Sequence, residues 1–162
     1  MTCCVDCKPT ITKKSTNASW HALIMAAPKI RFSKQRDIPV AKLVALYEAN
    51  GWSSAKKPHL LQKALSNSAT LISAWVGREL VGIGNAITDG YLVVYYPHML
   101  VHPKYQGRGI GLEMMKRLMD KYKDFHQHML VADGRAIEFY KKCGFTRAGK
   151  TESMWIYAGD DH

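Results

Sequence analysis

Acidic residues are scarce in this chain. Its 162 residues hold 13 Asp and Glu against 23 Lys and Arg, a formal net charge of +10. Long apolar runs are missing as well: no stretch approaches the ~18 residues that a membrane span requires. Cysteines number only four, with Cys3, Cys4 and Cys7 crowded at the start and Cys143 alone. That excludes a disulfide scaffold of the secreted kind. Cys4-x-x-Cys7 has zinc-ligand spacing, but no second Cys pair or paired His follows at finger distance. No metal site is therefore expected, and the three thiols read as reduced. An apolar signal-peptide core is also missing. The Asn17-Ala18-Ser19 sequon is expected to stay unglycosylated, and a cytoplasmic location follows. The basic, acid-poor start also fits an organelle transit peptide, a weaker reading because Ser and Thr cluster only once there.

What remains is ordinary for a globular protein: 47% hydrophobic and 22% charged residues. Those values exclude collagen-like, coiled-coil and wholly disordered chains, and the length suits one domain with one core. Residues 1–28 show no period and read as an N-terminal tail, with a single domain over 29–162. Lys29 to Ser33 alternates as a first strand. Asp37-Ile38-Pro39 opens a helix with Val40, Leu43, Val44 and Tyr47 on one face, and Gly51 ends it. A second helix after Pro58 turns Leu60, Leu61, Ala64 and Leu65 inward. Thr70–Val76 and Glu79–Ala86 form a hairpin about Gly77-Arg78. Tyr91–Val101 is a fourth strand that Pro97 must interrupt, because proline cannot donate to the ladder. A helix with Leu112, Met115, Met119 and Tyr122 as its stripe follows. His128–Ala132 is a fifth strand, and Asp133 caps a helix from Arg135 to Cys143. Phe145–Arg147 and Met154–Tyr157 read as closing strands. The order predicts a mixed α/β fold.

The sharpest signal is Gln106-Gly107-Arg108-Gly109-Ile110-Gly111, directly before a helix. Three glycines in five positions leave backbone N–H groups bare at a helix N-terminus, where the dipole favours a pyrophosphate. Arg108 can add a charge-assisted contact. The spacing is neither that of a nucleoside-triphosphate loop nor that of a dinucleotide fingerprint.

Gln106-x-x-Gly109-x-Gly111 after Val101-His102-Pro103 resembles the acetyl-CoA motif of the GNAT superfamily of N-acetyltransferases. Ala136 to Phe145, with Phe139-Tyr140-x-x-x-Gly144-Phe145, resembles that superfamily's second signature. Within the superfamily the chain is most similar to small serotonin N-acetyltransferase-like members. Gly51-Trp52, Leu65-Ser66-Asn67-Ser68, Thr88-Asp89 and Met154-Trp155 carry that likeness. The resemblance implies a GNAT fold: a mixed, mostly antiparallel twisted sheet of six to seven strands, splayed between strands 4 and 5 and flanked by about four helices. It implies acetyl-CoA as co-substrate, lying in the splay against Leu100 and Val101. Gln106, Gly107, Arg108, Gly109, Ile110 and Gly111 would hold its phosphates, with Asp133, Phe139 and Lys142 as further contacts.

The implied reaction is direct acetyl transfer to a primary amine through a tetrahedral intermediate. Tyr140 would protonate the departing thiolate. His98, next to the expected bulge and with an ordinary pKa near ~6.5, would accept the amine's proton. Serotonin-type relatives tend to carry Asp there. Tyr91, Tyr95, Tyr96, Trp52 and Trp155 could wall a pocket for an aromatic amine. The acceptor is expected to be a small molecule such as an arylalkylamine. The alternatives are a protein N-terminus or lysine, or a non-catalytic binding protein of the same fold. No nucleic-acid or membrane partner is expected, and a homodimer is compatible with the sequence. The charge supports this division: residues 1–36 carry +6, 37–101 only +1, 102–150 +6 and 151–162 −3. One basic block is the tail and the other holds the glycine-rich turn, which points to a phosphorylated cofactor rather than nucleic acid.

Overall fold

The computed structural model describes residues 29–156. The readings made for residues 1–28, including Cys3, Cys4, Cys7 and the Asn17 sequon, lie outside them. Six strands and four α-helices follow one another: β1 (Ile30–Ser33), α1 (Val40–Ala49), α2 (Pro58–Asn67), β2 (Thr70–Val76), β3 (Glu79–Thr88), β4 (Val93–Tyr95), β5 (Met99–Val101), α3 (Ile110–Lys121), β6 (Gln127–Met129) and α4 (Ala136–Lys142). Short 3-10 turns occupy Ser53–Lys56 and Pro103–Tyr105.

The sheet runs β1-β2-β3-β4-β6, with β5 also paired to β3. Four pairings are antiparallel, and β4 with β6 is parallel. β2 and β3 are almost wholly buried, as their unbroken apolar runs require when helices cover both faces. α3 packs on one face, where Met114, Met115 and Leu118 are fully buried with Ile72, Ala74 and Val94. α1 and α2 cover the other, where Leu43, Leu46, Tyr47 and Leu65 meet Ile83 and Leu100.

The expected fourth strand is broken where Pro97 stands. Its first half, β4, pairs with β6 over Val93–Tyr95, and Tyr96 N–H donates to the Met129 carbonyl at 3.0 Å. Its second half, β5, pairs only with β3, among the described residues. The two sides therefore part beyond Tyr96, which is the expected splay. Asn85 bridges the break. Its N–H donates to the His98 carbonyl at 3.1 Å, and its side-chain Oδ1 accepts from the His98 N–H at 3.1 Å. A buried side chain thus supplies a ladder bond that the interrupted strand lacks.

Several local expectations are corrected. Neither Phe145–Arg147 nor Met154–Ile156 forms a strand, and Tyr157 lies outside the described residues. A β-prone run without a neighbour to accept its ladder stays irregular. The fifth strand covers Gln127–Met129 rather than His128–Ala132. Leu60 and Ala64 face outward on α2, because its buried stripe is Leu61 and Leu65. Leu112 is 49% exposed, since the buried face of α3 starts from Ile110. α1 begins after Pro39, with no side-chain cap from Asp37. α4 begins at Ala136 with Arg135 at its N-cap and no side-chain cap, so Asp133 does not cap it: only its backbone carbonyl accepts, from the Ala136 N–H at 3.0 Å. Arg36 braces the far end instead, donating to the carbonyls of Ser66, Ser68 and Ala69 at the C-terminus of α2.

Candidate functional site

The glycine-rich turn takes the conformation its composition demands. Gly107 and Gly109 have φ of 76° and 77°, which a side chain would strain. Gly109 stands at the N-cap of α3. The first intrahelical partner it offers is its carbonyl to Glu113 N–H at 3.0 Å. The N–H groups of Ile110, Gly111 and Leu112 consequently have no partner within the helix. Gly111 has ordinary φ, and its need is space: a β-carbon there would stand 3.2 Å from the Phe139 ring. The missing side chain lets α4 close over the first turn of α3. The Gln106 side chain fixes the turn to the sheet, donating from Nε2 to the Val101 carbonyl at 3.0 Å.

A cavity of about 510 Å³ opens between this turn, β5 and α4. Val101, Gln106, Gly107, Gly109, Ile110 and Gly111 form its turn side. Phe139, Tyr140 and Lys142 come from α4, with Met99 at the inner end of β5. One basic side chain on the wall, Arg135, is absent from the sequence expectation. Its signal was positional: a cation one residue before a helix that starts at Ala136. Lys141, by contrast, is engaged with Glu138 at 2.7 Å.

Four expected site residues do not line this cavity. Leu100 is buried on the other face of β5, because alternation sends Met99 and Val101 one way and His98 and Leu100 the other. Arg108 lies with its guanidinium 5.1 Å from the Tyr105 ring centre and donates to the Lys104 carbonyl. Asp133 is exposed on the loop before α4. His98 packs against α1, with its ring 5.6 Å from Tyr47 and 5.3 Å from Trp52.

Tyr140 and His98 therefore sit in different electrostatic settings. Burial, chiefly, with smaller repulsion from Cys143 and Tyr95, pushes the Tyr140 phenol up to about 12. It stays protonated at neutral pH and can donate. Among the described residues its hydroxyl has no hydrogen-bond partner. Burial lowers His98 to about 4. Its Nδ1 lies 2.7 Å from the Tyr47 hydroxyl, whose own ionisation burial raises far out of range. Sequence reasoning placed Tyr47 in the core and missed this pairing; only its place on the inner face of α1 hinted at it. A neutral His98 of such low basicity cannot readily take a proton from an ammonium near ~10.4. Among the described residues no group of three or more His, Cys, Asp and Glu is arranged to hold a metal ion. No helix among them is long and apolar enough to cross a membrane.

Known proteins are similar to this chain in sequence and fold. The family model for the acetyltransferase (GNAT) family matches residues 39–145. A ycf52-like N-acetyltransferase of Prochlorococcus marinus is 30% identical over 122 residues, covering 71% of this chain and 67% of its own. Histone acetyltransferase TAP1 of Glycine max is 30% identical over 131 residues, 72% of this chain but only 56% of that protein. Among solved structures, a GNAT-family acetyltransferase from Streptococcus pneumoniae superposes with a TM-score of 0.70 at 29% identity, over 80% of this chain and 99% of that one. Matched by the family model across more than half its length, with its fold shared by a member, the chain belongs to the GNAT family of acetyltransferases.

Proposed function

We propose that the protein transfers the acetyl group of acetyl-CoA to the primary amine of a small molecule. The observation that carries this reading is the neutral Tyr140 hydroxyl, unpartnered among the described residues, on the wall of a cavity that ends in a phosphate-type cradle. The residues fit the donor. Bare N–H groups of Ile110, Gly111 and Leu112 suit a pyrophosphate, and Arg135 and Lys142 add positive charge nearby. Met99, Val101 and Phe139 offer apolar wall to an uncharged arm. The thioester supplies an activated acetyl group. The chain's own task is to release a thiolate, for which Tyr140 holds a proton at its hydroxyl. As nitrogen–carbon bond formation breaks the carbon–sulfur bond, the amine loses one proton and the sulfur gains one.

Amine deprotonation goes through water in this proposal, not directly to His98. His98 and Trp52 stand on the opposite face of β5 from Met99 and Val101, next to α1. Their rings favour an aromatic amine such as an arylalkylamine on that side. The name of the Glycine max relative supports a second acceptor class, a protein lysine. Calorimetry with acetyl-CoA tests the donor: saturable binding at micromolar concentration is expected, and no binding ends this reading. Tyr140→Phe should lower turnover by about 10²–10⁴-fold, the range for losing a general acid, with little change in acetyl-CoA affinity. An unaffected rate removes Tyr140 from the chemistry. A thiol-release screen over small amines and lysine peptides separates the two acceptor classes.

A further inference from the structure

Gly84 and Met99 face each other across the β3–β5 ladder. A β-carbon on Gly84 would stand 2.7 Å from the Met99 terminal methyl, 3.2 Å from its sulfur and 3.3 Å from Leu118 Cδ1. The bare backbone of Gly84 is thus a notch, and the end of the Met99 side chain is seated in it. Gly82, two residues earlier, opens a similar notch, with the Met114 methyl 3.0 Å from its missing β-carbon. Met114 belongs to the closed core, fully buried. Met99 does not: it is half-buried and lines the cavity.

The position of Met99 along the cavity gives the notch a role. Gln106 ties the glycine-rich turn to Val101, so Val101 marks the phosphate end. Met99 lies two residues deeper on the same face, about 7 Å further along the strand. It shares the cavity wall with Tyr140. An unbranched thioether with three rotatable bonds fills an irregular gap without fixing one shape.

We propose that Met99, seated over Gly84, sets the length of acyl chain the cavity admits, so that the site takes an acetyl group and turns away chains of four carbons. This rests on the reading of the cavity as a thioester site. Shortening Met99 to alanine vacates the notch and lengthens the cavity at its inner end. Adding a methyl at Gly84 has the opposite effect, because the flexible Met99 tip must leave the notch, and the cavity is the open side.

Calorimetric binding of CoA, acetyl-CoA and butyryl-CoA to the folded full chain tests this without relying on turnover. The wild-type protein should bind acetyl-CoA more tightly than butyryl-CoA. Met99→Ala should move the butyryl-to-acetyl affinity ratio toward butyryl by about tenfold, the worth of two buried methylenes. Gly84→Ala should move the ratio the other way. An unchanged ratio in Met99→Ala, with acetyl-CoA still bound, overturns the role of Met99 and leaves the donor site standing. Failure of the wild-type protein to bind either CoA or acetyl-CoA overturns the donor site and this proposal together. Should Met99→Ala not fold by circular dichroism, Gly84→Ala decides alone: a ratio that stays constant or moves toward butyryl rejects the notch.

Discussion

His98 packs beside Tyr47 and Trp52, and its acid–base behaviour follows from that packing. In the unfolded chain its imidazole titrates near ~6.5, while in the fold burial holds it at about 4. Between those values the unfolded chain binds a proton that the folded chain refuses. His98 therefore lowers stability progressively as pH falls through that window and has no such effect above it. The full loss amounts to about 3 kcal/mol at the acid end. Replacing His98 by Asn removes the titrating group and keeps a polar partner for the Tyr47 hydroxyl. Urea midpoints measured from pH 4 to 7 should fall more steeply for the wild-type protein than for His98→Asn. Parallel slopes would show that His98 is not held neutral by the fold. Asp89 titrates lower, held at about 2 by the N–H groups of Tyr91, Val93 and Leu92, so its transition lies below this window.

At the scale of elements, the interruption between β4 and β5 is the feature that shapes the site. Asn85 holds it by accepting from the His98 N–H and by donating from Nδ2 to the Ser68 hydroxyl at 2.8 Å. Asn85→Ala leaves the His98 N–H without its partner and removes the bond that the Ser68 hydroxyl accepts, although that hydroxyl still donates to the Ala64 carbonyl, and a loss of about 1–3 kcal/mol is expected in urea unfolding. A change within ~0.5 kcal/mol would mean that water replaces the side chain. Pro97 announced the interruption in the sequence, because a residue without a ladder donor marks an edge or a bulge in a strand. Asn85 gave a fainter signal, a lone amide in an apolar strand. The hairpin of β2 and β3 was legible from its β-branched and aromatic residues and its Gly77-Arg78 turn. The closing strands were not. Met154, Trp155 and Ile156 have the local chemistry of a strand, yet they make no ladder and are exposed. Pairing is a property of two segments, and a single segment records only half of it. The stripe of α3 was legible in Met115, Met119 and Tyr122, which pack in the core, and missed only at Leu112. Methionine and leucine recur on several faces of that helix, and which face is buried depends on where the glycine turn lets it begin.

For the molecule as a whole, the two hydrophobic clusters lie on opposite faces of one sheet, and β5 contributes to both: Leu100 on one side, Met99 and Val101 on the other. A ligand held between β5, α3 and α4 should therefore stabilise the entire fold and not a single loop. Acetyl-CoA at 100 times its dissociation constant should add about 2.7 kcal/mol, raising the thermal midpoint by several degrees. Gly109→Val, which forces a β-branched residue to a positive φ at the head of α3, should abolish that rise. An equal rise in the variant would place the ligand elsewhere. The glycine-rich turn was the more legible part of the candidate site, since glycine spacing encodes backbone geometry directly. The rings of Tyr47, Trp52 and His98, by contrast, meet only after folding. No spacing rule connects Tyr47 to His98, 51 positions apart.

Every residue on the cavity wall falls between positions 99 and 142, one unbroken stretch of chain. The helices α1 and α2, which cover the opposite face, are complete before position 70. The cavity wall and the helices covering the opposite face are thus written in separate passages of the sequence. Variation in the early passage can change the cover that α1 and α2 provide without touching a residue of the cavity wall. Recombination between relatives at the turn before β2 would exchange α1 and α2 while every residue of the cavity wall passed on together.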